Sequence, residues 1–331
     1  MTPNPDQSLC DHFDLGKLRR FSSAGGTRNA NFILETESGS WFARNRYHGY
    51  CADEHLAFDH GAARYLAERG VLTPRPRPAC DGQSWWRDGA ATWEIFPFTS
   101  GHHLRDGNAQ DVAALGAALA QWHRVGQEFP LRYEKAAPRG ETDPQQLQER
   151  IAKIANETAN ESAGAAGFLT DYQTAVTRAA HALTGREYSR LPHTLIHGDI
   201  QPANILLRAG QISAFVDLDW CAWQARIYDL CFAVLLCCAN HDAPFDGGDI
   251  WSLSQTPHFP GGVVEDFLHA YESHGTPLSE CERAALQPQL ILTWCHVRLG
   301  GALKVPANRR AEFLKRAPDI NQLCALIFRA L

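Results

Sequence analysis

Leu195-Ile196-His197-Gly198-Asp199-Ile200-Gln201-Pro202-Ala203-Asn204-Ile205-Leu206-Leu207 is the stretch from which the rest of the chain can be read. A short apolar run leads into His-Gly-Asp, Asn204 follows after four intervening residues, and a second apolar run leaves. A turn at Ala209-Gly210 then leads into Ala214-Phe215-Val216-Asp217-Leu218-Asp219. The pattern reads as strand, loop, strand, with one carboxylate at the loop centre, an amide beyond it, and two carboxylates closing the last strand. Phosphoryl transfer from a nucleotide uses such a set. One carboxylate orients the attacking hydroxyl and takes its proton, and hard oxygen donors hold Mg²⁺ on the phosphates. Asp-x4-Asn alone is more often a buried turn with two capping side chains. The downstream acids at this spacing set the stretch apart.

The order His-x-Asp-x4-Asn followed by Asp resembles the catalytic loop and metal-binding Asp of the protein-kinase-like fold. Here it takes the form His-Gly-Asp-x-x-Pro-x-Asn with Asp-Leu-Asp, in place of His-Arg-Asp and Asp-Phe-Gly. In this form it resembles the aminoglycoside phosphotransferase and choline kinase superfamily, which acts mostly on small molecules. The resemblance implies an α+β, bilobal protein-kinase-like fold. A small antiparallel β-sheet N-lobe, residues 1–98, would bind nucleotide, and a larger, mainly helical C-lobe, residues 99–331, would carry the catalytic and acceptor groups. It implies ATP and Mg²⁺ as cofactors, Asp199 as catalytic base, and Asn204 and Asp217 as metal ligands.

Bulk properties agree with an ordinary soluble globule. The chain has 331 residues, 44% hydrophobic and 21% charged, enough for a large core and longer than a usual single domain. A net charge of -6 argues against a nucleic-acid surface and favours cationic or neutral ligands. Ten cysteines lie scattered without a Cys-x-x-Cys pair, which disfavours a metal site or disulfide framework and points to reduced thiols in the cytoplasm. The start, Met1-Thr2-Pro3-Asn4-Pro5-Asp6, lacks the pattern of a signal peptide. The longest apolar helix candidate, Leu230 to Ala239, is too short to span a bilayer, so no membrane partner is expected.

Upstream of the loop, Ser23 to Leu34 reads as strand, glycine turn and strand, with Gly25 and Gly26 at the turn. Paired glycines in a hairpin are often merely a turn; in the family such a loop lies over the nucleotide phosphates. Ser40 to Tyr47 reads as a third strand. Kinase-like folds place a phosphate-gripping cation there, usually Lys, and this strand has none. Arg44 is the expected stand-in, with Arg46 two residues on and pointing the same way. Asp53 to Arg69 has helical spacing, with Leu56, Ala63, Leu66 and Ala67 as its buried stripe. By the family pattern an acid on this helix pairs with the strand cation; Asp59 is expected there, Glu54 as runner-up. Ala91 to Phe98 reads as a strand, either an ordinary edge or the family's hinge to adenine. On the hinge reading Glu94, Phe96 and Phe98 contact the nucleotide.

Downstream, Asp111 to Arg124 is amphipathic, with Val112, Leu115, Leu119 and Trp122 at helical spacing. Leu119-Ala120-x-x-His123 resembles the helix that opens the family's larger lobe, and His123 is read as a packed helix-end histidine. Residues 134–165 read as helix and mobile connection, Phe168 to Leu183 as helix, and Val263 to His274, Ser279 to Lys304 and Ala311 to Leu331 as further helices. Tyr228-Asp229-Leu230 is again family-like; there the Asp caps a helix and hydrogen-bonds the catalytic loop. Asp242, Asp246 and Asp249 sit in a loop with Phe245, Trp251 and Phe259, either as solvated acids or as receivers of a cationic substrate. The acceptor is expected to be a small hydroxylated molecule: an antibiotic, an amino alcohol, a homoserine-like metabolite or a sugar. A nucleotide-binding pseudokinase, which the missing strand Lys favours, and a protein kinase are the alternatives.

Overall fold

Short alternating segments build an antiparallel sheet at the N-terminal end of the computed structural model, which describes residues 4–25, 29–130, 135, 139–158, 163–241 and 249–316. The strands β1 (Leu18–Gly25), β2 (Ala30–Thr36), β3 (Gly39–Asn45), β4 (Trp86–Asp88) and β5 (Ala91–Pro97) lie in the order β1-β2-β3-β5-β4. Period two gives this sheet two unlike faces. On one, Phe32, Leu34, Ala43, Trp93 and Ile95 pack with Leu9, Cys10 and Phe13 from the end of the chain that carries α1 (Gln7–His12). On the other, Phe42 and Arg44 of β3 stand opposite Phe96 and Glu94 of β5.

That second face is polar, and it decides how α2 (Asp53–Glu68) sits. Asp59 and His60 turn toward the sheet, whereas Phe58, Ala62, Ala63 and Leu66 join the core of the C-terminal lobe. The helix ends where Gly70 takes a left-handed φ of +82° and the Val71 N–H closes on the Leu66 carbonyl at 3.0 Å. A helix from the first 98 residues thus packs its apolar side against the second lobe.

The larger lobe runs β6 (His102–His103), α3 (Ala109–Gly126), α4 (Pro144–Thr158), α5 (Ala163–Ala182), α6 (Gly185–Tyr188) and β7 (His193–Ile196). It continues through β8 (Ile205–Arg208), β9 (Gln211–Phe215), β10 (Ala222–Ala225), α7 (Ile227–Leu236), α8 (Val263–His274), α9 (Glu280–Ala302) and α10 (Arg310–Lys315). Val112, Leu115, Leu119 and Trp122 of α3 are buried, as their spacing predicts. Where α3 meets α8 the backbones approach so closely that a Cβ on Gly116 would stand 2.5 Å from the Phe267 carbonyl. Every residue of α7 is buried, the mark of a helix apolar all round and sunk in a core. The fold is α+β and bilobal.

Three local readings change. β7 pairs with β10, a strand not foreseen, while β8 pairs with β9 and β6. The helix expected in the connection after residue 134 is α4, and α5 begins five residues earlier than Phe168. α1 is shorter than the helix expected from Leu9 to Leu18, because Leu18 already belongs to β1. Gly26 and the loop residues Asp242, Phe245 and Asp246 lie outside the described residues, as does most of the last expected helix beyond Arg316. No helix among the described residues is long and apolar enough to cross a membrane.

Candidate active site

The loop after β7 is held by a single buried carboxylate. Asp229, in the first turn of α7, accepts from the His197 N–H at 2.7 Å and from the Gly198 N–H at 2.8 Å. His123 at the end of α3 donates to Asp229 from Nε2 at 3.0 Å, and its Nδ1 meets the Tyr271 hydroxyl at 2.8 Å. Asp229 therefore serves the loop with its side chain. It does not cap α7, whose N-cap position is Arg226. Burial, the largest influence on it, pushes the His197 imidazole below its usual range, and the neutral ring spans the loop. Its Nε2–H donates to the Val216 carbonyl at 3.1 Å, and its Nδ1 accepts from the Asp199 N–H at 3.3 Å.

Gly198 is needed for shape. It has a φ of +82°, and a Cβ there would lie 2.2 Å from the Trp220 carbonyl oxygen. Gly198→Ala is expected to cost about 3 kcal/mol or more, combining left-handed strain with backbone overlap. Urea unfolding of the variant measures this; an unchanged midpoint would contradict the stated tightness.

Asp199, Asn204 and Asp217 are brought together by the β8–β9 hairpin, whose turn residues Ala209 and Gly210 both have positive φ. Gln201 Nε2 and Asn204 Nδ2 both donate to Asp199 Oδ2 at 2.8 Å. Asn204 Nδ2 also donates to the Asp199 carbonyl at 2.9 Å, which leaves its Oδ1 without a hydrogen bond among the described residues. Burial raises the Asp199 pKa, and His197 and the two amide donors oppose the rise. A carboxylate so placed is a better proton acceptor than one in water, and the two donors in contact favour its charged form.

Asp217 sits in the left-handed region, φ 66° and ψ 73°, with its side chain 40% exposed. Desolvation and the neighbouring Asp219 and Asp199 carboxylates push its pKa up, and Arg44 opposes them. This carboxylate is short of positive charge. With Asn204 Oδ1 it forms a hard oxygen pair of the kind Mg²⁺ uses when phosphates and water complete its shell. The residues present fit that ion.

Behind this pair lies a buried ion cluster. Arg44 contacts Glu94 through Nε at 2.8 Å, and its Nη1 lies 3.1 Å from Asp217 and 3.0 Å from Asp219. Arg46 contacts Glu94 at 3.0 Å and Asp219 at 3.2 Å, and pairs closely with Asp59. Lys135 bonds both Asp59 and the Asp219 carbonyl, and Asn29 Nδ2 donates to Asp219 Oδ2 at 2.9 Å. Despite burial, Arg44 and Arg46 hold Glu94 well below the usual carboxylate range, with His60 donating at 2.6 Å, and they lower Asp219 as well.

Two expectations are corrected here. Glu94 offers no side chain to a nucleotide: it is fully buried in mid-strand, where its register opposite Arg44 consumes its carboxylate. The acid on α2 does not pair with Arg44; Asp59 pairs with Arg46, and Arg44 turns across to Asp217 and Asp219. Phe96 lies on the cleft face with the Arg44 guanidinium 5.3 Å from its ring centre. Phe98 is exposed, and its N–H is already taken by the Ser40 carbonyl at 3.2 Å. Gly25 closes β1 with a φ of +75° and open space around it. Lys135, His60 and Asn29 escaped sequence reading. Lys135 falls outside regular structure, and neither His60 nor Asn29 carries a spacing signal.

A β-sheet lobe set on a helical lobe, with Asp199, Asn204 and Asp217 gathered on the loop and hairpin that follow β7, is the arrangement of a kinase-like fold. The sequence matches the phosphotransferase enzyme family, APH, over residues 18–280, and the chain belongs to that family. A homoserine kinase of Bradyrhizobium sp. strain BTAi1 is 28% identical over 301 residues, covering 89% of this chain and 83% of the relative. A homoserine kinase of Nitrobacter winogradskyi is 29% identical over 303 residues, covering 91% and 82%. Among solved structures, the amicoumacin kinase hAmiN in complex with AMP-PNP, Ca²⁺ and Ami superposes with a TM-score of 0.65. That match has 16% sequence identity and covers 96% of this chain and 95% of the other, a likeness of fold. The chain is a small-molecule kinase that transfers phosphate to an alcohol, and nothing favours a protein substrate over a small one.

Proposed function

We propose that this chain binds ATP with Mg²⁺ in the cleft between residues 1–98 and 99–331 and phosphorylates the side-chain hydroxyl of a small homoserine-like amino acid. The observation that supports it most is the Asp199 carboxylate, anchored through one oxygen by Gln201 and Asn204 with its other oxygen left for the acceptor. Asp199 orients the hydroxyl and accepts its proton as the oxygen attacks the γ-phosphate. Asp217 and Asn204 Oδ1 would hold Mg²⁺, which when bound supplies positive charge between the phosphates. Arg44 and Gly25 would face the phosphates, Arg46 and Asp59 support Arg44 from behind, and Phe96 and Phe98 would border the base. Asp219 holds the two arginines in place.

The acceptor class draws on the homoserine kinases among the relatives. The nine described cysteines are all free, in keeping with a cytoplasmic enzyme, and the net charge of -6 disfavours nucleic acid as partner. The missing strand Lys supports a pseudokinase; Asp199, Asn204 and Asp217 within one loop and hairpin support turnover.

A panel of L-homoserine, amino alcohols lacking the carboxylate, and an aminoglycoside tests the reading through kcat/KM. Homoserine is expected to exceed the amino alcohols by about a hundredfold or more, the scale of leaving a buried polar recognition group unpaired. A preference for the aminoglycoside would overturn the acceptor class, and nucleotide binding without any turnover would favour the pseudokinase.

A further inference from the structure

Arg150, on α4, ends in a guanidinium with only one of its edges occupied. Its Nη2 pairs with the Glu141 carboxylate, and its Nη1 donates to His296 Nδ1 of α9 at 2.8 Å. Those two partners stand close together, with Glu141 Oε2 3.9 Å from His296 Nδ1. Partners on opposite sides of the fork would be on the order of 6 Å apart, so both lie off its end. The remaining edge consists of Nε–H and the outer N–H of Nη2, and Nε makes no hydrogen bond among the described residues. That edge is the one on which a carboxylate is held by two parallel bonds.

The open edge lies beside a recess. Burial first, then the Arg150 charge, holds the His296 pKa down to about 3, although 21% of its side chain is exposed. A ring both desolvated and open to solvent lines a concavity, and being neutral it braces Arg150 without adding charge. Gly300 follows His296 by one turn on the same face of α9, and a Cβ there would meet nothing within 4 Å. The catalytic loop is one aromatic layer away. The Phe232 ring lies 5.8 Å from His296 and stacks at 5.0 Å on Tyr228, the neighbour of the loop-holding Asp229. Gly140, beside Glu141, closes on the same Tyr228 ring, where a Cβ would stand 3.4 Å from it. In keeping with one shared recess, the charges of Glu141 and Asp199 both act on the Tyr228 hydroxyl.

We propose that Arg150 receives the carboxylate of the acceptor on its open edge, braced on the other by Glu141 and His296, so that α4 sets the preference for an amino acid over an amino alcohol. This rests on the reading of the acceptor as a small homoserine-like amino acid. The competing account is a purely structural tie between α4 and α9, and it predicts a loss that ignores the acceptor's charge.

The test compares kcat/KM for L-homoserine and for 3-amino-1-propanol, which is homoserine without its carboxylate, in wild type, Arg150→Met and Arg150→Lys. Arg150→Met is expected to lose about a hundredfold toward homoserine and about threefold or less toward 3-amino-1-propanol, the scale of removing a charged hydrogen-bonding partner. Arg150→Lys keeps the charge without the fork, and its preference for homoserine should fall about tenfold. Binding is read separately by calorimetry with L-2-aminobutyrate, which has no hydroxyl to phosphorylate, and with propylamine, which also lacks the carboxylate. Wild type should bind L-2-aminobutyrate and Arg150→Met should bind it at least about tenfold more weakly. Equal losses toward both acceptors overturn the proposal, as does homoserine turnover indifferent to Arg150. If Arg150→Met does not fold, Arg150→Lys decides, and an unchanged homoserine preference overturns it. Wild type that binds L-2-aminobutyrate no better than propylamine also overturns it. Arg150-dependent binding of L-2-aminobutyrate without phosphorylation of homoserine would count against the proposed function and leave this assignment standing.

Discussion

Asp199→Asn is expected to lower turnover by about 10²- to 10⁴-fold, the range for losing a positioned general base, while leaving fold and nucleotide affinity near wild type. The geometry makes this substitution clean. Gln201 and Asn204 both donate to the same oxygen, Oδ2. An Asn side chain can keep its carbonyl oxygen against those two donors, which turns its NH₂ toward the acceptor, where it cannot take a proton. Shape and anchoring survive and proton acceptance does not. Steady-state rates at saturating nucleotide and acceptor measure the effect. Turnover within about tenfold of wild type would remove Asp199 from the role of base.

Asp217→Ala is expected to weaken Mg²⁺-dependent binding of an ATP analogue by about a hundredfold, and Asn204→Ala by about tenfold, because a carboxylate contributes a charge where an amide contributes a dipole. The two should also differ in kind. Asn204 holds Asp199 by two hydrogen bonds, so its loss should depress kcat as well as metal affinity. Asp217 makes no hydrogen bond to Asp199 among the described residues, and its loss should fall mainly on the metal. Titrating Mg²⁺ at fixed analogue, with kcat measured in parallel, separates them. Equal or reversed metal effects would contradict Asp217 as the primary ligand.

The loop from Leu195 to Leu207 was legible because its chemistry is local: a short strand, a glycine in a left-handed turn and a two-residue hairpin set the spacing of Asp199, Asn204 and Asp217. Helical spacing likewise exposed α3, whose Val112, Leu115, Leu119 and Trp122 are buried. What escaped is non-local. Arg44 meets Asp217 across 173 positions, and Asn29 meets Asp219 across 190. No periodicity records which of two arginines on one strand face will reach the helix acid. That choice depends on β3–β5 register, which sets Arg44 opposite Glu94 and leaves Arg46 nearer α2. Glu94 looked like a hinge residue because its strand leads into the second lobe, and only its pairing with Arg44 across β3 and β5 shows its carboxylate consumed. β10 is four residues long and flanked by Trp220-Cys221, without the turn residues that would mark it as a strand.

The most direct measurement is phosphorus NMR of the wild-type chain incubated with ATP, Mg²⁺ and L-homoserine, beside Asp199→Asn under the same conditions. A phosphomonoester resonance growing with ADP in the wild-type sample, and nearly absent with Asp199→Asn, is the expected result. ATP loss that yields only inorganic phosphate, or a phosphomonoester formed equally well without the Asp199 carboxylate, would contradict it.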